Sequence, residues 1–358
     1  MKALDRFWRG ALLCLGLALL SVRVHAIIFL STGDPNHNTT APTGSVTNSG
    51  WQWQSTQSVC ATAVGPHHLL TVAHLGVTKQ NRFHFGGLEY FVTASSNVPN
   101  ADLTVVWVGG RLPSWAPLYR GTDELNARLV FHGIGGARGD PVYLTNGTPQ
   151  LRGWLWTVAD GRLRWGTNAV DATSVGGSDL TDFLVCQFRN RSGTDIATFS
   201  VGDSGGGAFL KDTDGAWKLA GVVSRVESQY RYTPDGETIN AALYDRRQFY
   251  EFTGSAWSID ASSLTRPASI MLASRVTVAV PYIDQAMAQV PDGTDTPQLF
   301  AAATPGGPFI EINAYAVDPT NRVITAIAPS AATQFFILKG IDHVGAVQIS
   351  GDKVLVHY

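Results

Sequence analysis

Apolar and polar residues alternate in short runs along this chain, with Val, Thr, Leu and aromatic side chains set between clusters of Gly, Asn, Asp and Pro. Alternation with period two sends successive side chains to opposite faces of a strand, and little of the chain shows helical spacing. The pattern predicts an all-β protein. Two hairpins are expected where alternating runs flank Asp-Gly, the dipeptide that supplies the positive φ of type I′ turns. One is "WLWTVADGRLRW" around Asp160-Gly161; the other is "FLKDTDGAWKLAGVV" around Asp214-Gly215. One helix is expected, late in the chain: "VPYIDQAMAQV" has Pro281 near its start and Ile283, Met287 and Val290 at helical spacing. The Pro, Gly, Thr and Asp residues of 291–298 read as a linker. A small strand-rich segment follows over 299–358, with a hairpin expected in "VQISGDKVLVHY".

The first 26 residues break this pattern. Lys2, Arg6 and Arg9 precede an apolar core from about Ala11 to Leu20, and Val24-His25-Ala26 offers small or aliphatic residues for signal peptidase. Residues 1–26 therefore read as a secretory signal peptide cleaved after Ala26, which makes the chain secreted or periplasmic with no stable membrane span after cleavage. A retained anchor is the alternative, and no second apolar run supports it. Cys14 follows Leu13, which is too bulky for a lipoprotein site. Without this segment 22 basic and 27 acidic residues remain, a formal charge of −5. That balance argues against a nucleic-acid partner, which would call for a basic face. Cys60 and Cys186 also remain, so at most one internal disulfide can form; free buried thiols are the other reading.

The chemistry concentrates in "VGDSGGGAFL", where Ser204 stands among glycines. A serine hydroxyl is a poor nucleophile until a neighbouring base takes its proton, and that base must be held in one tautomer. His74 lies directly after the β-prone run of "HHLLTVAHLG", where a turn would expose its ring. Asp102 heads the strongly apolar "DLTVVWV", where burial forces a carboxylate to find donors. The order His, Asp, Ser is one of the known orders of a catalytic triad.

"TVAH", "DLTVVWV" and "GDSGG" together resemble the three signature segments of the trypsin-like (chymotrypsin-fold) serine proteases, in that family's order. The likeness extends over most of the chain after residue 26. "GWQWQSTQSVCATAVGPHHLLTVAH" resembles the first-barrel strands, "ARLVFHGIGG" the opening of the second barrel, "LAGVVSRV" the strand that lines the specificity pocket and pairs with the substrate backbone, and "LASRVTVAVPYIDQAMA" the last strand and closing helix. The resemblance implies two six-stranded antiparallel β-barrels over 27–290 with the active site between them, followed by the linker and a β-rich C-terminal segment. It implies a metal- and cofactor-independent endopeptidase acting on protein or peptide substrates. Ser204 would be the nucleophile, His74 the general base and Asp102 its orienter. The amides of Gly202 and Ser204 would form the oxyanion hole, since converging N–H groups need a tight turn with little side-chain bulk. Thr198, Ser224 and Val226 would bind substrate, with Met271 on the pocket floor. None of Thr198, Val226 and Met271 is charged, so small or medium apolar residues are expected at the cleaved bond. A silent fold of the same family that binds a partner is the rival reading.

The chain departs from the family's pattern at several points. Leu75 stands where a cysteine would pair with Cys60. The stretch 227–267 is longer than the family's connection and would either cap the cleft or lie remote from it. Ile27, exposed by signal cleavage, would offer an amine to Asp203. His67 and His68 read as surface histidines, since strand alternation and the lack of a Cys or carboxylate argue against a metal cluster with His74. "HGIGGARG" lacks the setting of a dinucleotide loop. Asn38, Asn146 and Asn190 sit in glycosylation sequons.

Overall fold

The computed structural model describes residues 27–57, 59–144, 147–175, 181–189, 191–289, 296–328, 335–341 and 343–358. The expected signal peptide, most of the linker, Val290, Asn146 and Asn190 lie outside the described residues. The protein is all-β. Its first sheet contains β1 (Thr62–Gly65), β2 (His68–Thr71), β3 (Arg82–Phe85), β4 (Leu88–Asn97) and β5 (Thr104–Val108). They run antiparallel in the order β1-β2-β5-β4-β3. The second sheet contains β6 (Arg128–Gly133), β7 (Arg164–Ala169), β8 (Ala172–Val175), β9 (Asp182–Gln187), β10 (Gly207–Lys211), β11 (Trp217–Val226) and β12 (Ile270–Arg275). Its order is β7-β6-β10-β11-β12-β9-β8. Hydrogen bonding thus gives five and seven strands, where six and six were expected.

A continuous apolar cluster joins the two sheets. Leu70, Val105 and Trp107 of the first meet Val130, Phe209, Leu219 and Val222 of the second, and helix α1 (Val280–Met287) closes the cluster with Val280, Ile283 and Ala286. Pro281 sits in the first turn, where the missing N–H is harmless. Leu75 packs on this cluster, so an apolar contact occupies the place of the family's second cysteine. Cys60 and Cys186 are both buried free thiols in separate clusters.

Of the two Asp-Gly hairpins, one forms. β10 and β11 pair from Lys211↔Trp217, and Gly215 takes φ +82° in the connecting turn. That connection is five residues, 212–216, rather than a two-residue turn. The Asp160-Gly161 hairpin does not form. The strand before it, Gln150–Ala159, pairs with Gly136–Leu144 and Ile239–Leu243, whereas the strand after it, β7, pairs with β6. Asp160 instead binds the buried Arg164 at 2.8 Å, so 160–163 is a crossover between sheets. The stretch 227–267 is built onto the same outer sheet. Its Gln229–Tyr230 and Ile239–Leu243 strands pair with each other, and Tyr230, Ala241, Leu243 and Phe249 share an apolar cluster with Val142. Buried Arg246 ties the stretch together through Glu251 at 2.5 Å and Ser262 at 2.8 Å.

The C-terminal segment is not separate from the first sheet. Its sheet of β13 (Tyr315–Asp318), β14 (Val323–Ile327), β15 (Ala346–Ser350) and β16 (Lys353–His357) ends on the Gly110–Arg111 strand, in the order β15-β16-β14-β13 and then Gly110–Arg111. The expected terminal hairpin is β15–β16, turning at Gly351. Arg111 binds Glu311 at 3.2 Å, and Ala316 enters the first sheet's own apolar cluster. Glycine is required at this junction. Gly110 has φ +96°, and a Cβ there would lie 2.1 Å from the Tyr315 carbonyl oxygen. Gly110→Ala is therefore expected to destabilise the chain by about 1–3 kcal/mol through backbone strain alone. Urea unfolding measures that loss, and limited proteolysis should release the C-terminal segment faster than from the parent.

Candidate active site

Two paired strands deliver the base and its carboxylate. β2 and β5 run in register from His68↔Trp107 to Thr71↔Thr104, and both Asp102 and His74 lie just beyond that end. A short 3₁₀ turn, Ala73–Leu75, follows β2 and is closed by Gly76 in the left-handed region at φ 59°. This turn aims the His74 backbone N–H at Asp102 Oδ1, 2.9 Å away, while the His74 ring Nδ1–H donates to Asp102 Oδ2 at 2.7 Å. Ser204 arrives from the other sheet, on the loop entering β10. Two backbone bonds, Gly205 N–H to Val223 O at 2.9 Å and Val223 N–H to Gly206 O at 2.8 Å, pin that loop to β11. The Ser204 hydroxyl then lies 3.0 Å from His74 Nε2. The three residues singled out from sequence thus form one hydrogen-bonded line.

The electrostatics suit a base held in one tautomer. The Asp102 side chain is 5% exposed and the His74 ring 43%. Burial alone would raise the Asp102 carboxyl, but the His74 ring, the Ser224 hydroxyl and the His74 amide outweigh it and hold it down at about 2. Ser224 donates to Asp102 Oδ2 at 2.5 Å, so its hydroxyl faces the carboxylate; the sequence had suggested this residue for substrate alone. An ionised Asp102 keeps the proton of His74 on Nδ1 and leaves Nε2 free to accept from Ser204.

The glycines of "GDSGGG" have local causes. Gly202 has φ +97°, and a Cβ there would meet Gly135 Cα at 2.8 Å. At Gly205, φ +93°, a Cβ would strike the Cys60 carbonyl oxygen at 2.1 Å and Thr71 Oγ1 at 2.4 Å; at Gly206 it would strike the His132 carbonyl oxygen at 1.9 Å. Among the described residues, no protein acceptor meets the N–H of Gly202 or of Ser204. Between them, Asp203 turns inward and is fully buried. Its Oδ1 accepts from Gly135 N–H and its Oδ2 from Ser200 N–H, both at 2.7 Å. Burial pushes its carboxyl up to about 6, against those bonds and the nearby Arg164 charge. Both Asp203 oxygens thus have protein donors without an amine from Ile27, which is buried beside the strand pairing Ile28 with Thr198. Two glycines of "HGIGGARG" make room for Asp203: a Cβ at Gly133 would lie 2.0 Å from its Oδ1 and one at Gly135 2.7 Å from its backbone nitrogen.

The remaining sequence-derived residues sit less directly. Val226 ends β11 beside fully buried Met271, its partner across the ladder. Thr198 is fully buried, and among the described residues its hydroxyl has no partner. The 227–267 stretch leaves β11 directly and forms, with Val226, the walls of a groove of about 500 Å³ that also contains Glu227, Glu251 and Asp260. It is not remote from this strand. His68 is a correction: it is 7% exposed and packs against Trp107, because its position on β2 faces inward. Among the described residues no three His, Cys, Asp or Glu side chains gather to hold a metal ion, and no helix is long and apolar enough to cross a membrane.

No protein-family model and no curated protein matches the sequence. Among solved structures, the chain is similar to neuropsin, a serine protease of the mouse brain limbic system, at 13% identity and TM-score 0.40, covering 67% of this chain and 96% of that one. It is also similar to the passenger domain of the plasmid-encoded toxin, an autotransporter enterotoxin from enteroaggregative Escherichia coli, at 10% identity and TM-score 0.40. That match covers 66% of this chain, which spans 22% of the toxin passenger domain. Both likenesses are too distant to bear on the chemistry.

The Asp102 carboxyl is lower in the folded chain than its ordinary value of 3.8, so between about 4 and 2 the unfolded chain holds more protons. Its stabilising effect is complete above the unfolded value and is lost as pH falls through about 2. Asp102→Asn is expected to cost about 2 kcal/mol at pH 7, with the gap to the parent narrowing by about half near pH 3. Urea unfolding at a series of pH values measures this.

Proposed function

We propose that the chain is a secreted serine endopeptidase of the two-barrel, trypsin-like kind. The observation that carries this reading is the unbroken line from Asp102 Oδ2 through His74 to Ser204 Oγ, with spacings of 2.7 and 3.0 Å, beside the amides of Gly202 and Ser204, which no acceptor meets among the described residues. Ser204 Oγ attacks the scissile carbonyl while His74 Nε2 takes its proton. The oxyanion that forms is met by the Gly202 and Ser204 N–H groups, a stabilisation worth about 2.7–4 kcal/mol per donor in comparable sites. His74 then gives its proton to the leaving amine, the acyl ester forms on Ser204, and water deprotonated by His74 hydrolyses it. Asp102 stays ionised throughout, and Ser224 holds it in place.

The backbone of Ser224 and Val226 would pair with the substrate, and the fully buried Thr198 would support the pocket for the residue before the cleaved bond without touching it. No charged side chain stands among Thr198, Val226 and Met271, which favours small or medium apolar residues there, while Glu227, Glu251 and Asp260 line the neighbouring groove beside Val226.

A fluorophosphonate probe should label the parent on Ser204 and leave Ser204→Ala unlabelled, read by mass spectrometry. No labelling of the parent would point instead to a silent fold that binds a partner. Asp102→Asn should lower kcat by about ten-thousand-fold, because the His74 tautomer is no longer fixed. A peptide library should show cleavage after residues such as Ala or Val, and rapid cleavage after Arg or Lys would overturn the pocket assignment.

A further inference from the structure

The β2–β5 ladder has a second end, away from the triad, and a cavity of about 380 Å³ opens there. Its walls come from three parts of the fold: His68, Thr93 and Trp107 of the first sheet, Met287 from the end of α1, and Gln298 and Tyr315 of the C-terminal segment. The volume lies in the range of small-molecule sites and exceeds what single waters fill. None of its described lining residues is an Asp, Glu, Lys or Arg.

One polar group in this wall is unmatched. His68 is 7% exposed, yet among the described residues neither of its ring nitrogens has a hydrogen-bond partner. Its neighbours are already committed: His67 Nδ1–H donates to the Gly110 carbonyl at 2.5 Å, and Trp107 Nε1–H to the Gln289 carbonyl at 3.1 Å. A buried polar group left unpaired is disfavoured, so this ring favours an occupant that can satisfy it. Burial, and then the charge of His67, lower the His68 ring to about 4, so it is neutral at ordinary pH with one N–H donor and one bare acceptor. A hydroxyl, which can donate or accept, matches whichever ring nitrogen faces it. The Trp107 and Tyr315 rings and the Met287 thioether favour an aromatic body.

We infer that this cavity is a binding site for a small, neutral aromatic molecule bearing a hydroxyl, held by hydrogen bonding to the buried His68 between the first sheet and the C-terminal segment. The inference stands apart from the chemistry of Ser204, because the site shares no side chain with the triad.

Isothermal titration of the full chain with 2-naphthol, and with naphthalene as its hydroxyl-free counterpart, tests this. Saturable one-to-one binding of 2-naphthol is expected, with naphthalene about tenfold weaker, the value of one hydrogen bond. His68→Phe keeps a ring but removes both nitrogens and should bring the two probes to equal affinity. Met287→Trp fills the cavity from the helix side and should abolish binding of both. Should His68→Phe fail to fold, the two probes on the parent and on Met287→Trp still decide. The inference is overturned if 2-naphthol does not bind the parent saturably, if the parent binds both probes equally, or if Met287→Trp binds 2-naphthol as the parent does.

Discussion

A carboxylate taken out of water must be met by donors or it will not stay ionised, and Asp102 draws its donors from both sheets. His74 gives two bonds from the first sheet and Ser224 gives one from the second. The contact therefore fixes how the sheets sit against each other as well as which nitrogen of His74 keeps its proton. The apolar cluster between the sheets supplies most of the cohesion, but apolar packing is non-directional and tolerates small shifts. Directional bonds come from this buried carboxylate and from Gln54, which accepts from Gly207 N–H of β10 at 2.9 Å and donates to Thr62 of β1 at 3.1 Å. The low pKa of Asp102 is the thermodynamic trace of its own bonds.

The second constraint is steric. The Ser204 loop passes so close to the Cys60 carbonyl, the His132 carbonyl and Gly135 that no Cβ fits at positions 202, 205 or 206. The sequence suggested that these glycines leave room for an oxyanion. The contacts on the inner side of the loop are the stronger requirement: they hold the loop against Cys60 and Thr71 on one side and His132 and Gly135 on the other. Asp203 completes the anchor from within, bonded to Gly135 and Ser200 although burial disfavours its charge.

How far sequence reached depended on whether a residue's role was set locally. The all-β pattern, the α1 helix with its early Pro281, the terminal hairpin and the adjacency of His74, Asp102 and Ser204 were legible, because periodicity and chemical need act over short stretches or call for particular residue types. The Asp160-Gly161 hairpin was misread because turn chemistry says where a chain can reverse, and long-range pairing decides which strand it joins; Arg164 drew Asp160 into an ion pair instead. His68 looked like a surface residue because alternation cannot say which face of β2 is covered when neighbouring strands and a helix cover both. The link of Ser224 to Asp102 joins residues 122 positions apart, and only the assembled sheets bring them together.

The same reasoning applies to the C-terminal segment, read from sequence as a small strand-rich stretch beyond a linker. The strand 315–318 comes so close to Gly109-Gly110 that a Cβ would lie 2.7 Å from the Val317 carbonyl oxygen at the first and 2.1 Å from that of Tyr315 at the second. Gly109 directly follows β5, the strand that begins two residues after Asp102. The β2–β5 ladder has Asp102 beyond one end and the His68↔Trp107 pair at the other, and past the bend at Gly109 the strand Gly110–Arg111 joins the C-terminal sheet. Strands in such a ladder cannot slip by one residue without turning every side chain to the opposite face. The alignment of His74 with Asp102 consequently depends on the β2–β5 register.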